Sequence, residues 1–328
     1  MPGPPPPRAG GAEMPCFTPM VAEKLPDGRV KLLCSFVSVS GVLKHGEFLI
    51  PCGQCLGCRL ERSRQWAVRC MHEASLHDEN CFLTLTYSDE YLPPYGALRY
   101  KDFQNFMKRL RRHISPRRVS FFMCGEYGDG TNRPHYHACL FGYNFPDRKY
   151  RSRSPSDEKL YTSESLDSLW RYGSTILGSV TFNSAGYVAR YCVKKVTGDL
   201  ADQHYSVVDL NTGEIVRKPS EFAHMSLRPA IAKDWINRYL SDVYPHNLVV
   251  VDNKKCKPPK YYDRQFVLCK LREGLSQLQA EAELEAVKLS SILKAEEHRG
   301  DSTPQRLADR EEVTRARLSF LKRHKEGF

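Results

Sequence analysis

The chain has 328 residues, of which 49 are Lys or Arg and 38 are Asp or Glu, and its formal net charge at pH 7 is +11. This length suffices for one large domain or two smaller ones and excludes a small cysteine-stapled scaffold. The excess of positive charge favours an acidic polymer such as nucleic acid as partner. No uncharged apolar run approaches the ~18 residues of a membrane span, so the sequence predicts a soluble protein with no membrane partner.

The N-terminal part of the chain begins with a segment that has few apolar side chains able to pack into a core. Residues 1–13 are rich in Pro, Gly and Ala, so we expect a disordered extension. The N-terminus lacks the apolar core of a signal peptide, so we expect the protein in a reducing compartment. Residues 29–50 alternate loosely between apolar and polar, which predicts a pair of short strands. Residues 59–76 share an apolar face and predict a helix.

The middle of the chain predicts a sheet and a helix. Residues 82–87 alternate with period two and are rich in β formers, so they form the clearest strand. Residues 101–113 have the spacing of an amphipathic helix. Residues 119–125 and 135–141 flank a turn rich in Gly and Asn, and we expect them to pair as antiparallel strands. The polar side of the helix predicted for residues 101–113 carries four basic residues, Lys108, Arg109, Arg111 and Arg112. These side chains suit either salt-sensitive phosphate contacts or plain solvation.

The remainder mixes polar connections with helices. Residues 150–165 predict an exposed insertion, residues 184–195 a helix, and residues 211–213 the turn of a hairpin. Residues 263–328 predict helices with a break near 300–304. The order of elements favours an α+β fold, with an antiparallel sheet, helices packed on one of its faces and a helical C-terminal extension.

Two histidines, His135 and His137, are the sharpest chemical feature. Because they stand two apart on a predicted strand, they project from the same face and can bind one divalent ion. Glu126 ends the preceding strand, and the Gly-rich turn can bring its carboxylate beside both imidazoles. Such a mixed set suits Mg²⁺ or Mn²⁺ in a site that handles phosphates. On spacing alone, two hydrogen-bonded structural histidines fit equally well.

Two tyrosines follow about fifty residues later on a predicted helix. Tyr187 and Tyr191 are four apart and therefore share a face, with Lys194 close behind. A tyrosine hydroxyl can attack a phosphodiester when a metal polarises the phosphoryl oxygens, and a lysine can stabilise the developing charge. Taken in isolation, the tyrosine pair is more often core packing and the lysine part of a solvated face.

Three cysteines form the third feature. Cys52, Cys55 and Cys58 have a spacing that lets a glycine-containing turn wrap a structural zinc ion, which we favour over free thiols. Arg62 stands where a ferredoxin-like run would need its fourth cysteine, which argues against an iron–sulfur cluster. The fourth ligand must come from elsewhere, and three residues are candidates: Cys16, Cys34 and Cys70.

Taken together and in this order, the motifs resemble the replication initiation proteins of the Microviridae, small single-stranded DNA phages, particularly the gokushovirus type. The matching segments cover about two thirds of the chain, and they read PCGQCLGCR, FLTLTY, CGEYG, RPHYH, YVARY and KPPKYY. The resemblance places the chain among HUH-type nicking enzymes and implies a Rep-like sheet with a ferredoxin-like core. Residues 14–262 would then be the nuclease domain with its cysteine-rich knuckle, and residues 263–328 a helical region.

The resemblance implies rolling-circle initiation. In this interpretation His135, His137 and Glu126 hold Mg²⁺ or Mn²⁺, Tyr187 and Tyr191 are alternating nucleophiles, and Lys194 assists at the scissile phosphate. The DNA partners are single-stranded and supercoiled replicative-form viral DNA at the origin, in the cytoplasm of the bacterial host. The resemblance also implies a host helicase and DNA polymerase as partners, because related initiators lack a helicase domain. No P-loop pattern occurs in the sequence, which agrees with a strand-joining step that needs no ATP.

Two other functions compete with this interpretation. The first is a non-catalytic, zinc-containing DNA-binding or regulatory protein, in which the histidine and tyrosine pairs are structural. It predicts binding without cleavage. The second is a metal-dependent nuclease that activates water, which would cleave DNA without needing either tyrosine.

Overall fold

The computed structural model describes residues 16–25, 29–36, 43–128, 130–194, 200–297 and 303–326, without the side chains of 190–194, 200, 292, 294–297 and 320–326. The extension predicted for residues 1–13 lies outside these ranges. The chain divides into two compact units, one formed by residues 63–238 and the other by residues 1–62 with 239–328. The domain boundaries proposed from the sequence stay a prediction.

An antiparallel seven-stranded sheet forms the centre of the unit of residues 63–238. Its strands are β4 (Asn80–Tyr87), β5 (Ser120–Tyr127), β6 (Pro134–Phe141), β7 (Lys149–Arg153), β8 (Lys159–Thr162), β9 (Gly173–Gly178) and β12 (Phe222–Met225). Their order in the sheet is β12-β5-β6-β4-β9-β8-β7. The helices of this part of the chain are α1 (Leu56–Ala74), which continues from the other unit, α2 (Tyr100–His113), α3 (Glu164–Trp170), α4 (Phe182–Lys194) and α5 (Leu200–Tyr205). The α+β prediction is confirmed.

Alternation along the central strands separates two faces of the sheet. On one face, every second residue of β4, β5 and β6 joins a buried apolar cluster with the inner sides of α2 and α3. The side chains on the other face lie under α1 and α4, where Trp66 stacks on Phe122 with 4.7 Å between ring centroids. The sequence predicted helices on one face only. That prediction was wrong, because the amphipathic faces of α1 and α4 need a second apolar surface.

The other unit contains a small sheet and the C-terminal helices. Its strands β1 (Met20–Lys24), β2 (Val30–Ser35) and β3 (Glu47–Ile50) form a sheet of order β2-β1-β3. Its small core joins Val21, Phe36 and Leu307. The remaining elements are α6 (Lys233–Val243), which begins in the larger unit, the ribbon β13 (Val249–Val251) and β14 (Lys254–Cys256), α7 (Lys260–Arg272), α8 (Gln277–Glu297) and α9 (Pro304–Glu326).

Several predicted elements need correction. The two strands predicted for residues 29–50 do not pair with each other, because β1 lies between them. The polar stretch 150–165 is mostly exposed or half-buried, although Ser163 is buried. It forms the hairpin β7–β8, whose register shift and charged residues are typical of a sheet edge. The hairpin around 211–213 is confirmed as β10 (Ser206–Val208) with β11 (Ile215–Arg217). The predicted C-terminal break falls mostly on residues 298–302, outside the described part.

A glycine in β9 permits the close approach of β9 to the end of β4. Gly173 has φ +150°, and an added Cβ would lie 2.3 Å from both the Ser88 nitrogen and the Thr86 oxygen. We expect Gly173→Ala to lower the free energy of unfolding by about 2 kcal/mol or more, measured by urea denaturation.

The matched control is Gly178→Ala on the same strand, where the added Cβ would have Phe82 at 3.7 Å as its nearest neighbour. This variant should change stability much less. Equal unfolding midpoints for the two variants would contradict the steric argument.

No helix in the described part of the chain is both long and apolar enough to cross a bilayer.

Candidate active site

The pleat of β6 places His135 and His137 on the sheet face covered by α4. Antiparallel pairing sets Glu126 of β5 directly opposite His135, while Thr84 of β4 stands opposite His137. The three strands thus bring two imidazoles, a carboxylate and a hydroxyl together on one surface. Tyr136, between the histidines, points to the other face and is fully buried there.

Both imidazoles converge on one carboxylate oxygen. The Nε2 atoms of His135 and His137 lie 2.6 and 3.0 Å from Glu126 Oε1. Burial by itself raises the pKa of Glu126, but the hydrogen bonds and positive charge of the two histidines outweigh it and bring the pKa below its ordinary value. Glu126 is therefore an ionised carboxylate in a nearly closed site, where it is 1% exposed.

The hydrogen bonds at the outer nitrogens orient the rings. His135 Nδ1 lies 3.0 Å from the Arg133 carbonyl oxygen, which only accepts, so Nδ1 carries a proton. In the neutral ring, Nε2 then directs a lone pair at the carboxylate oxygen. Two such groups repel unless a proton or a cation lies between them. The donor set of two imidazole nitrogens and one carboxylate, all within 4.8 Å of one another, fits a divalent metal ion.

Thr84 makes the corresponding contact to the other ring. Its Oγ1 lies 3.0 Å from His137 Nδ1, while Nε2 of the same ring faces Glu126. Outer hydrogen bonds of this kind set the tautomer and orientation of a metal-binding imidazole. The strand register makes Thr84, rather than Thr86, the residue opposite this ring.

Helix α4 brings the first tyrosine to this set. The Tyr187 ring is edge-on to the His137 ring with 5.0 Å between centroids, and Tyr187 is 39% exposed. Ser63 of α1 donates to the Gly186 carbonyl oxygen at 2.9 Å, which anchors α4 beside the tyrosine. An accessible hydroxyl-bearing side chain thus lies next to the imidazole and carboxylate groups.

The other predicted residues of this helix are placed only by their backbone. Tyr191 and Lys194 follow Tyr187 by four and seven residues within α4, so their Cα positions lie on the same side of the helix. Their side chains lie outside the described part of the structure.

The basic helix α2 lies on the opposite face of the sheet from Glu126 and the histidines. Arg109 donates to the carbonyl oxygens of Leu169 and Trp170 at 2.7 and 3.1 Å, so it holds the end of α3. This structural role was not among the two that the sequence suggested for the basic side chains, phosphate contact and plain solvation.

A second group of potential metal ligands lies in the unit that holds β1. Cys16 joins Cys52, Cys55 and Cys58, and all four sulfurs lie within 4.8 Å of one another. Burial raises the pKa of the Cys52 thiol, but hydrogen bonds from Thr18 and from backbone N–H groups lower it to about 6. Burial raises the pKa of Cys58 to about 11.

The other two candidates for the fourth cysteine ligand lie elsewhere. Cys34 is in β2, and Cys70 is buried beside Cys139. Sequence spacing could not distinguish among the three.

Comparisons with known proteins find relatives of one kind. A family model described as replication-associated protein ORF2/G2P matches residues 80–196, a range that contains the histidines, Glu126, both tyrosines and Lys194. The replication-associated protein VP4 of Bdellovibrio phage phiMH2K is 38% identical over 224 residues, 66% of each chain. The replication-associated protein ORF2 of Spiroplasma virus 4 is 30% identical over 230 residues, 66% of this chain and 67% of that one.

A third relative matches over a smaller share of its length. The replication-associated protein ORF4 of Chlamydia phage 1 is 29% identical over 233 residues, 67% of this chain and 54% of that one. The chain thus spans about two thirds of the first two relatives and about half of the third. No solved structure matches the chain. The identity and coverage, together with the family match across the site, establish that this chain belongs to the Microviridae-type family of phage replication-associated proteins.

Proposed function

We propose that this protein initiates rolling-circle replication by nicking one strand of the viral replicative-form DNA at its origin. The observation that carries the proposal is the position of Tyr187, whose ring lies 5.0 Å from that of His137 beside the Glu126 carboxylate. A nucleophile next to a set of metal ligands is what attack on a phosphodiester requires. The names of the relatives, all replication-associated proteins, support the biological role.

The nick follows from the chemistry of these groups. His135, His137 and Glu126 would hold Mg²⁺ or Mn²⁺, which would supply polarisation of the phosphoryl oxygens at the scissile phosphate. The Tyr187 oxygen gives up its proton and bonds to phosphorus, while the bond from phosphorus to the 3′ oxygen breaks and that oxygen takes a proton. The products are a 5′-phosphotyrosine and a free 3′ hydroxyl that primes synthesis.

A second tyrosine allows the cycle to close. Tyr191 can cleave the regenerated origin while Tyr187 still holds the old 5′ end, and Lys194 would stabilise charge at the scissile phosphate. The new 3′ hydroxyl then attacks the phosphotyrosine and circularises the unit-length strand. Because the phosphotyrosine ester conserves the energy of the broken bond, this joining step needs no nucleotide cofactor.

The proposed partners follow from this cycle. The substrates are single-stranded and supercoiled replicative-form DNA at the origin, in the cytoplasm of the bacterial host. A host helicase would separate the strands, and a host DNA polymerase would extend the 3′ hydroxyl.

The direct test is incubation of the protein with end-labelled single-stranded oligonucleotides from candidate origins, with Mg²⁺ or Mn²⁺. Denaturing gels and mass analysis should reveal a covalent adduct on a tyrosine of α4. Binding without cleavage would favour the regulatory DNA-binding protein instead. Cleavage without any adduct would favour a nuclease that activates water.

Thr84 provides a sharper test of the metal ligands. Because Thr84→Val removes only the hydroxyl that orients His137, we expect apparent metal affinity in the nicking assay to fall about 10–100-fold. Raising the Mn²⁺ concentration should restore the rate. The control is Thr86→Val, the same substitution two residues along the strand, and a similar loss there would contradict this role for Thr84.

A further inference from the structure

The four-cysteine cluster has no part in the proposed nicking chemistry, and its geometry is that of a closed site. The Cys16 sulfur lies 3.6 Å from the sulfur of Cys52 and 3.8 Å from that of Cys55. A tetrahedral zinc ion with bonds of ~2.3 Å to sulfur holds its ligands about 3.8 Å apart. A disulfide would need about 2.05 Å. We propose that Cys16, Cys52, Cys55 and Cys58 bind one structural Zn²⁺, with Cys16 as the fourth ligand.

Hydrogen-bond donors surround the sulfurs as they do in thiolate–metal sites. The backbone N–H of Phe17 points at Cys55 Sγ and that of Cys52 at Cys16 Sγ, each at 3.3 Å. Cys52 Sγ also accepts from the Thr18 hydroxyl at 3.2 Å. Such donors stabilise negative sulfur and orient it toward a shared ion.

The local backbone forms a tight turn suited to this ligand set. Gly53 has φ +77°, a left-handed conformation that glycine adopts without strain. Arg62 Nη2 donates to the Gly53 carbonyl oxygen at 3.1 Å and holds the turn. Helix α1 begins at Leu56, so Cys58 lies in its first turn. The turn and the helix start thereby supply three sulfurs from seven residues.

The strand pairing explains how Cys16 reaches them. Met20 at the start of β1 pairs with Ile50 at the end of β3. Cys16 precedes the first of these residues by four positions, and Cys52 follows the second by two. A metal at this end of the β1–β3 pair would link two distant chain segments beside the sheet. Among the described residues, the buried core of this sheet consists of Val21, Phe36 and Leu307.

The sulfur separations also discriminate among cofactors. A cluster of two or four iron atoms occupies more space between its thiolates than one ion does. Separations of 3.6 and 3.8 Å fit a single tetrahedral ion. Among tetrathiolate sites that close completely around one ion, zinc is the usual structural metal.

The test is the metal content of the purified full-length chain after expression with both zinc and iron supplied. We expect about one Zn²⁺ per chain. Loss of an outer hydrogen bond at a metal ligand lowers metal affinity about 10–100-fold. Cys16→Ser removes a ligand itself, so it should weaken zinc retention against a chelator by more than that. Cys34→Ser is the matched control, since Cys34 lies on β2 of the same sheet but outside the cluster, and it should retain the metal.

A measurement on the unaltered chain covers the case in which Cys16→Ser fails to fold. Bound zinc should protect four thiols from alkylation, mapped by mass spectrometry: Cys16, Cys52, Cys55 and Cys58. Cys34 and Cys269 should react with or without zinc. Purification with iron or without metal, or protection that omits Cys16, would overturn the proposal. Zinc that is lost from a His135→Ala/His137→Ala variant would also overturn it, because the ion would then belong to the other site.

Discussion

Replacement of both Tyr187 and Tyr191 with phenylalanine is expected to abolish the covalent protein–DNA adduct and lower strand cleavage by roughly 10³-fold or more. The reason is chemical, since phenylalanine lacks the oxygen that attacks phosphorus. The phenylalanine ring preserves the edge-on contact of Tyr187 with His137, so the fold around the site should survive. Gel analysis of end-labelled oligonucleotides measures both cleavage and adduct.

The single variants separate the two roles. Tyr187→Phe and Tyr191→Phe should each still form an adduct, now only on the remaining tyrosine, while circularisation of a unit-length strand fails in both. Tyr150→Phe is the matched control, because Tyr150 is 60% exposed on β7 and belongs to neither helix α4 nor the histidine strand. Undiminished cleavage by the double variant would overturn the tyrosine mechanism in favour of activated water.

The second large effect is expected at the metal ligands. His137→Ala should lower nicking by about 10³-fold or more, because it removes a ligand and with it the ion that polarises the phosphate. DNA binding should remain within a small factor, since phosphate contacts by basic side chains do not require this imidazole. Single-turnover nicking rates and binding isotherms, each at a stated salt concentration, measure the two effects separately.

Glu126→Gln extends this test with almost no change in shape. The amide oxygen is a weaker ligand than the ionised carboxylate, so the variant should need a much higher Mn²⁺ concentration and recover part of its rate when that is supplied. His113→Ala, at the exposed C-terminal end of α2, is the control and should behave like the unaltered chain. A nicking rate that is insensitive to chelator in the unaltered protein would refute metal dependence.

Local patterns in the sequence were enough to predict the elements that depend on neighbouring residues. Period-two alternation predicted β4, the turn rich in Gly and Asn predicted the pair β5 and β6, and helical spacing predicted α2 and α4. All five elements were predicted to within a few residues, because these patterns depend on neighbours along the chain. The His135–Tyr–His137 segment required its two imidazoles to share a face, whatever the fold. The family could also be recognised at this level, since it depends on the order of short motifs.

Contacts between residues that are distant in the chain depend on the tertiary structure. The register of β5 against β6 sets Glu126 opposite His135, and the register of β4 selects Thr84 over Thr86 as the partner of His137. The position of β1 between β2 and β3 brings Cys16, rather than Cys34, to the cysteine turn. A shift of one residue in the pairing of β5 with β6 would send Glu126 to the other face of the sheet, and the same shift in the pairing of β4 with β6 would send Thr84 there. Register is fixed by the packing of whole strands against the core. The local sequence could therefore suggest Glu126 as a third ligand, but it could not select Thr84 or Cys16.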